Sequence, residues 1–567
     1  MKNHFLFLLV TLAIFSCSES EKPANDAAPA LPFAYELDFQ PNILWLVAED
    51  LSPVIPPFGD STITTPNLSR LAAEGVCYDN AYSPSPVCSP SRAALATGMY
   101  PTAIGAGHMR TGPWFRTDMP QEFLDRYKSK PKEFSFYEAL PPAGVRMFSE
   151  YLREKGYFCT NNSKQDYQFR CSVTAWDKNG KQAHWKNRKA GQPFFSVFNY
   201  EVTHESRIWA KAKDSLWVRE DLEVPVPPYL PDTEIGRQDI RRMYSNIKEM
   251  DAQVGQMLQE LEAAGELEKT IIVWYTDHGG PLPRQKRLLY DSGLRIPMII
   301  RFPNQLFAGQ RDDRFVSFID FGPTALSMAG IEPPNNINGT AFLGKYQRTE
   351  EPQQIFAAAD RFDETYDCNR AVRTDQLKYI KYYQPEKSMF LRVAYREQQP
   401  IMQELYRLRD EGKLTPEQEL WFRDTKPEEE LFDVTKDPHE LNNIAEDPAY
   451  KETLEMLRKK CEDWVASIDD TGVIPETELK EKLRPDGKEL KVASPLLKIN
   501  TEGTLATLSC ATEGATIGYK INDSSGNEDG WTIYTEPIAL EKGDTLKVVG
   551  ERIGYRYSDV AELVIGE

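Results

Sequence analysis

The chain has 567 residues, of which 41% are hydrophobic and 11% aromatic. It is long enough for more than one domain with a sizeable core, and this composition excludes an intrinsically disordered protein. The formal net charge of −19 disfavours general binding to nucleic acids or to anionic membrane surfaces, so any anionic ligand needs a local basic pocket.

The N-terminus has the features of an export signal. Lys2 is followed by an apolar run, residues 5–15, which is too short to span a bilayer. The run ends in Ala-Ile-Phe-Ser-Cys17, which resembles a bacterial lipobox. We therefore predict a lipoprotein signal at 1–17, lipidation of Cys17, a tether at 18–38, and a periplasmic or cell-surface location. An ordinary cleaved signal peptide is the alternative. If Cys17 is lipidated, the protein contacts a membrane only through the lipid.

Apolar runs alternate with helical patterns in the following part of the chain, which predicts a parallel α/β sheet. The predicted strands cover 42–47, 157–160, 193–198 and 270–275. Polar residues with acid–base or metal-binding side chains follow the ends of these strands: Glu49, Asp50, His204, Asp277 and His278. Ligands of open α/β sheets bind beyond the carboxyl ends of the strands, so these side chains are predicted to converge.

A helix N-terminus is predicted at Cys88-Ser-Pro-Ser-Arg92, with Ser89 as N-cap and Gly98 at the helix end. Backbone N–H groups and the helix dipole favour an anion at such an end. Arg92 lies about one turn further on. The local sequence thus predicts an anion site that contains a nucleophile.

The same pattern, Cys-x-Pro-Ser-Arg followed by Leu95 and Thr97-Gly98, resembles the signature of the formylglycine-dependent sulfatases. The resemblance covers about residues 40–465. It implies an alkaline-phosphatase-like α/β fold with a large, mostly parallel sheet flanked by helices. It also implies that a maturase oxidises Cys88 to 3-oxoalanine (formylglycine), whose hydrate attacks sulfur.

Carboxylates at Glu49, Asp50 and Asp277 offer hard oxygen ligands, which suit Ca²⁺ or Mg²⁺. The resemblance implies that these positions and His278 hold a divalent cation, usually calcium, which also contacts the modified Cys88. Glu49 stands where the family more often has Asp, and His278 where many members have Asn. Imidazole is a softer ligand, so Mn²⁺ remains open.

The resemblance implies that Arg92, Lys164 and Lys286 bind sulfate and that His204 protonates the leaving oxygen. One position departs from the family, because Asp166 stands two residues after Lys164, where a histidine is usual. Either His108, from the loop after the Cys88 helix, or Asp166 itself is the candidate to replace that histidine.

Three further polar residues, Arg361, Asp363 and Glu364, lie where sulfatases often contact the sugar. The predicted activity is hydrolysis of a sulfate ester or sulfamate on a sulfated oligosaccharide or polysaccharide. A phosphodiester or phosphonate monoester hydrolase of the same superfamily is one alternative. A non-catalytic, glycan-binding surface lipoprotein is the other.

The chain after the catalytic part is predicted to contain further units. We expect the catalytic α/β domain at 39–344, a smaller α+β subdomain at 345–470, a charged linker at 471–492 and a small all-β sandwich at 493–567. The sandwich is expected to fold separately and to be dispensable for chemistry. The remaining cysteines have spacings that predict no disulfide framework: Cys77, Cys159, Cys171, Cys368, Cys461 and Cys510.

Overall fold

The computed structural model describes residues 33–35, 37–111, 137–523 and 529–566. The predicted signal with Cys17 and most of the predicted tether lie outside these ranges. Tyr35–Glu567 forms one compact unit. Within the described ranges, no helix combines the length and the apolar character needed to cross a membrane.

A nine-stranded sheet organises the first half of the chain. Its strands are β1 (Asn42–Ala48), β2 (Val76–Tyr82), β3 (Phe158–Asn162), β4 (Lys178–Asn179), β5 (Phe194–Tyr200), β6 (Thr270–Thr276), β7 (Arg295–Arg301), β8 (Gln310–Asp312) and β9 (Val316–Ser317). The order is β4-β3-β5-β1-β6-β7-β2-β8, with β9 beside β2. Only β7 runs antiparallel to its neighbours in this sheet, so the predicted, mostly parallel sheet is confirmed.

Strand β1 lies in the middle and is buried over its whole length. It pairs in parallel with β5 on one side and β6 on the other, and Trp45 faces Val197 and Val273 in the two registers. A strand buried on both faces requires a continuous apolar sequence, which is the pattern seen from Ile43 to Ala48.

Helices cover the sheet. Those of the first half are α1 (Pro66–Glu74), α2 (Cys88–Thr97), α3 (Phe148–Glu154), α4 (Ser206–Ala210), α5 (Glu234–Ala263), α6 (Asp291–Leu294) and α7 (Phe321–Met328). The apolar stripe of α5 is buried as its 3.6-residue spacing predicts. Asp251, on that same helix, accepts a 2.8 Å hydrogen bond from the backbone N–H of Leu68, so it caps the first turn of α1.

A smaller α+β part follows. Its antiparallel sheet consists of β10 (Ile355–Ala359), β11 (Asn369–Arg373), β12 (Leu377–Tyr382) and β13 (Glu429–Asp433). Its helices are α8 (Pro400–Asp410), α9 (Pro416–Glu419) and α10 (Lys451–Ser467). Leu454 and Leu457 of α10 share an apolar cluster with Val372, Tyr379 and Leu431 of the sheet.

Residues 471–492, predicted as a linker, contain the helix α11 (Glu476–Leu483). Leu479 and Leu483 lie four residues apart, and both are buried in a cluster with Tyr137. One helical face is therefore apolar although the segment as a whole is charged. The prediction of a linker is corrected to an ordered helix that packs on the catalytic part.

The C-terminal strands are β14 (Leu496–Ile499), β15 (Leu505–Ser509), β16 (Thr516–Ile521), β17 (Thr532–Ile533), β18 (Ile538–Ala539), β19 (Thr545–Glu551) and β20 (Ala561–Val564). They form two antiparallel sheets, β14-β15-β18 and β17-β16-β19-β20, which share a core. Thr174 Oγ1 lies 2.6 Å from a carboxyl oxygen of Glu150 and 2.8 Å from one of Glu551. This sandwich thus packs on the catalytic part within one compact unit, in contrast to the separately folding module expected from the sequence.

Candidate functional site

The predicted convergence of polar residues at the strand ends is seen between β1 and β6. Ala48 and Thr276 are paired at the last position of these parallel strands, so Asp50 and Asp277 emerge side by side. The backbone N–H of Asp50 donates a 3.1 Å hydrogen bond to Asp277 Oδ1. Asp50 has φ of 47°, a left-handed conformation in which Asp is tolerated better than most residues. This turn aims its carboxylate at α2.

Cys88 is the first residue of α2, with Val87 as N-cap, so the helix begins two residues earlier than predicted. The Cys88 side chain is fully buried. Its Sγ lies 3.3 Å from His278 Nε2 and 3.9 Å from Asp50 Oδ1. Ser89 is therefore not the N-cap, and its hydroxyl bonds elsewhere in the site.

Four side chains offer ligand atoms that all lie within 4.8 Å of one another: Asp50, Cys88, Asp277 and His278. All four are buried. Burial disfavours a charged imidazole, but Asp277 and Asp50 outweigh it and raise the pKa of His278 to about 10. Two buried carboxylates and an imidazole make a donor set that suits Ca²⁺, Mg²⁺ or Mn²⁺.

Glu49, the remaining predicted ligand, contacts basic side chains instead. Its Oε1 lies 2.9 Å from Lys164 Nζ and 3.4 Å from an Arg92 nitrogen. Arg92 Nε also donates to Asp277 Oδ2 at 3.1 Å. Burial would lower the pKa of Lys164, but the charges of Cys88 and Glu49 raise it overall. Burial is the largest influence on Glu49 and raises its pKa. Its carboxyl group thus orients two of the predicted sulfate-binding groups.

Lys286 is anchored on the other side of the site. Its Nζ lies 2.7 Å from Asp50 Oδ2 and 3.0 Å from Glu205 Oε1. Glu205 also accepts a bidentate pair of hydrogen bonds from Arg287, at 2.9 and 2.8 Å. Glu205 and Arg287 were not predicted as site residues. Glu205 directly follows His204, and Arg287 directly follows Lys286. This adjacency to predicted site residues is the only signal for them in the sequence.

His204 is half-buried at the mouth of this basic cluster. Its Nδ1 lies 2.8 Å from Ser206 Oγ, and its Nε2 lies 3.4 Å from Lys286 Nζ. Burial, followed by the nearby positive charge of Lys286, lowers the pKa of His204 to about 3. The ring is therefore neutral at physiological pH while no anion is bound beside it.

The two candidates for the missing histidine occupy different places. Asp166 Oδ1 accepts a 2.8 Å hydrogen bond from Ser89 Oγ, next to Cys88, and its Oδ2 lies 3.7 Å from Arg110. His108 is buried, and its Nδ1 accepts a 3.0 Å hydrogen bond from the backbone N–H of Arg361. Asp166 thus lies beside the nucleophile position, whereas His108 supports the Arg361 loop.

The three predicted sugar-contacting residues are held by protein groups. Arg361 makes two 2.8 Å hydrogen bonds with the carboxylate of Glu476, and Glu364 accepts a 2.7 Å bond from the backbone N–H of Ala394. Asp363 Oδ2 lies 3.4 Å from an Arg287 nitrogen. Of the three, Asp363 is the one linked directly to the charged cluster of the site.

The fold and the site define an alkaline-phosphatase-like enzyme, with a mostly parallel sheet and a cluster of acidic and basic groups at its carboxyl edge. The model of the sulfatase family matches residues 41–331. The model of the C-terminal part of N-sulphoglucosamine sulphohydrolase matches residues 284–418.

Two relatives extend this match. An ulvan-active sulfatase from Formosa agariphila is 48% identical over 603 aligned positions, covering 99% of this chain and 98% of the relative. The N-sulphoglucosamine sulphohydrolase of Homo sapiens is 25% identical, covering 79% of this chain and 95% of the relative. The chain therefore belongs to the sulfatase family, and it is a sulfuric ester hydrolase.

Solved structures show the same fold. BT4656 in complex with its substrate D-glucosamine-2-N,6-O-disulfate superposes with a TM-score of 0.54 at 17% identity, over 76% of this chain and 99% of that one. BT1596, a 2-O GAG sulfatase, superposes with a TM-score of 0.53 at 19% identity, over 76% of this chain and 93% of that one. The predicted fold class is confirmed.

Proposed function

We propose that the chain hydrolyses sulfate esters on a sulfated polysaccharide of the ulvan type. The observation that carries this proposal is the 48% identity, over nearly the whole of both chains, with a sulfatase that is active on ulvan. The buried basic cluster around Cys88 supports it, because an anionic substrate needs local positive charge in a chain of net charge −19.

The proposed nucleophile is Cys88 after conversion to formylglycine by a maturase. The intact Cys88-Ser-Pro-Ser-Arg92 sequence supports this proposal, and so does the place of Cys88 in the first turn of α2, within 4 Å of His278 and Asp50. In that form, residue 88 supplies a hydroxyl group that attacks sulfur.

The proposed cation is Ca²⁺, with Mg²⁺ or Mn²⁺ as alternatives. Asp50, Asp277 and His278 would hold it together with residue 88, because their ligand atoms share one small buried volume. When bound, the cation supplies positive charge beside a sulfate oxygen. Glu49, the fourth ligand predicted from the sequence, would instead act through Lys164 and Arg92, which contact its carboxylate.

The chain's own residues would then act as follows. Arg92, Lys164 and Lys286 are preorganised by buried carboxylates, so they can neutralise the sulfate oxygens without reorganising. His204 lies beside Lys286 at the half-exposed mouth, where the sugar oxygen would leave. Burial, followed by the positive charge of Lys286, keeps the ring of His204 neutral in the free site. Bound sulfate offsets the positive charge of Lys286, and His204 can then donate the hydrogen on Nε2 to the leaving oxygen.

We further propose that the protein is exported and lipid-anchored through Cys17. The apolar run of residues 5–15 before that cysteine supports this location. A Cys17→Ala variant should move from membrane to soluble fractions in a bacterial host. An unchanged distribution would exclude the anchor.

The decisive experiment is sulfate release from defined glycans by enzyme produced together with a maturase. Ulvan, an N-sulfated glucosamine saccharide and a phosphodiester are compared, with Cys88→Ala as the matched inactive control. Of the three substrates, we expect only ulvan to release sulfate. Peptide mass spectrometry of the same enzyme should show the aldehyde at residue 88. Sulfate from the N-sulfated saccharide alone would favour a sulfamidase. Faster phosphodiester cleavage, or glycan binding without turnover by aldehyde-containing enzyme, would overturn the proposal.

A further inference from the structure

The side chain of His204 is fixed at one ring nitrogen by its neighbour Ser206. The backbone N–H of Ser206 donates a 3.3 Å hydrogen bond to His204 Nδ1. The Ser206 hydroxyl lies 2.8 Å from the same nitrogen. Ser206 is the first residue of α4, where a backbone N–H has no partner within the helix and is free to bond a side chain.

These contacts determine which nitrogen of the neutral ring carries the proton. A backbone N–H cannot reverse its direction, so Nδ1 must accept from it, and the hydroxyl can rotate to donate as well. A neutral imidazole that accepts at Nδ1 carries its hydrogen on Nε2. Nε2 is also the nitrogen that faces the basic cluster, 3.4 Å from Lys286 Nζ.

Lys286 is already committed to other partners and competes weakly for Nε2. Its Nζ has acceptors at 2.7 Å in Asp50 and at 3.0 Å in Glu205, both closer than the imidazole. A third Lys286 proton directed at Nε2 would force a hydrogen onto Nδ1, against the N–H of Ser206. Each tautomer satisfies two of these three contacts. The one with hydrogen on Nε2 is favoured because the backbone N–H of Ser206 cannot turn away from Nδ1, whereas Lys286 Nζ has two closer acceptors.

We propose that Ser206 is a positioning residue that holds His204 with a hydrogen on Nε2, directed at the leaving oxygen of the substrate. This inference rests on the proposed sulfatase mechanism. As the bond between sulfur and the leaving oxygen breaks, its electron pair stays on that oxygen, and the Nε2 hydrogen stabilises the developing charge. In the opposite tautomer, Nε2 would present a lone pair to the same oxygen and repel it.

Aromatic side chains hold Ser206 and His204 together. The ring of Tyr395 lies 6.2 Å from that of His204. Trp209 packs edge-on against Tyr395 at 5.1 Å. Because Trp209 is on α4, the helix, the serine and the histidine form one supported unit.

The first test compares leaving groups. Ser206→Ala keeps the backbone N–H but removes the hydroxyl at 2.8 Å that helps to orient the ring. It should lower kcat about tenfold on a sulfated saccharide, whose alkoxide needs stabilisation, and less than about threefold on 4-nitrophenyl sulfate, whose phenolate does not. KM should stay unchanged on both substrates. Ser206→Thr keeps the hydroxyl and should restore most of the lost rate. Ser215→Ala, at an exposed serine nearby, is the matched control. Equal losses on the two substrates would show a merely structural role.

The second test observes the tautomer directly. The holoenzyme is labelled with ¹⁵N-histidine, and its histidine signals are recorded at pH 7.5, with His204→Gln to assign the signal of His204. We expect an unprotonated Nδ1 and a protonated Nε2 for His204. A protonated Nδ1 would overturn the inference. If the wild type releases sulfate from neither substrate, the proposed function fails, while this spectrum still decides the tautomer.

Discussion

At the scale of single residues, Glu49 and Asp50 are neighbours with different partners. Glu49 contacts Lys164 and Arg92, whereas Asp50 lies among the ligand atoms that could surround a cation. A carboxylate that orients two cations contributes to substrate binding through them, and one that binds metal contributes to the metal affinity. The two roles can be separated by changing each carboxylate to its amide.

Asp50→Asn should lose the bound metal, and Glu49→Gln should keep it at full stoichiometry while turnover falls about tenfold or more. The reason is that the single amide oxygen of Gln can still accept from Lys164 or Arg92 but no longer orients both as the carboxylate does. Metal content after dialysis and sulfate release from the same samples are the measurements. Loss of metal from both variants would make Glu49 a ligand.

Lys286 is the residue whose removal should be most costly for both stability and rate. Lys286→Ala leaves the buried carboxylates of Asp50 and Glu205 short of positive charge, and an uncompensated buried charge is strongly destabilising. We expect turnover to fall on the order of 100-fold or more and the thermal midpoint to drop. Lys345→Ala, at an exposed lysine, is the control. Near-normal turnover would remove Lys286 from the sulfate site.

Residues at strand ends and in the cysteine motif could be predicted, because sheet topology and local pattern place them. Glu205 and Arg287 could not, since their pairing depends on two loops that are 82 residues apart. The bond between Arg361 and Glu476 spans 115 residues, and it could not be predicted either. Contacts of this range leave no periodic signal in a single sequence.

At the scale of elements, helix α1 depends on a residue of another helix for its cap. Asp251 of α5 accepts from the backbone N–H of Leu68 at 2.8 Å and from that of Asn67 at 3.3 Å. Asp251→Ala should lower the free energy of unfolding by roughly 1–3 kcal/mol, because two donors lose their acceptor. Asp251→Asn keeps one acceptor and should cost less. Denaturant unfolding of both variants measures the difference, and equal stability of all three proteins would contradict it.

Helix α5 contributes a second carboxyl group, that of Asp239, to the start of α8. Asp239 Oδ2 accepts from the backbone N–H of Ile401 at 2.7 Å. Burial outweighs this bond and raises the pKa of Asp239 to about 7. The folded state therefore holds a proton between about pH 4 and pH 7 that the unfolded state releases, so this group's contribution to stability falls as pH rises through that window.

Asp239→Asn should remove that dependence. The difference in thermal midpoint, variant minus wild type, should increase from pH 5 to pH 7 and then stay level, because Asn does not titrate. Scanning calorimetry of both proteins across this range measures the difference and cancels the groups that they share. A difference that is constant with pH would show that Asp239 is ionised throughout.

At the scale of the whole molecule, the contacts that join the parts of the chain were the hardest to predict. The composition of residues 471–492 indicates solvation, yet one face of α11 is buried. The sandwich has the turn and strand pattern of an independent module, yet Thr174 and Glu551, 377 residues apart, share a buried hydrogen bond. The local sequence pattern predicts which helices and strands form, but it does not predict which surfaces they pack against.

The segment that the sandwich covers also leads into the active site. Residues 163–177 carry Lys164 and Asp166 at one end and Thr174 at the other. Glu150, on α3, bonds to Thr174 from the catalytic side. Burial and the nearby Glu150 raise the pKa of Glu551 well above its usual range, which favours the neutral carboxyl in this contact.

A chain that ends at residue 490 should therefore lose stability and activity as well as the sandwich. Removal of the sandwich exposes Glu150 and Thr174 and frees the segment that positions Lys164, so we expect a lower thermal midpoint and a reduced kcat/KM for sulfate release. Glu551→Gln is the matched control, since the amide oxygen can still accept the hydrogen bond of Thr174 Oγ1, and it should change neither quantity strongly. Unchanged stability and turnover in the shortened chain would instead restore the expectation of a module that is dispensable for chemistry. A loss of stability with normal turnover would confine the effect of the sandwich to α3 and leave the Lys164 segment positioned by the sheet alone.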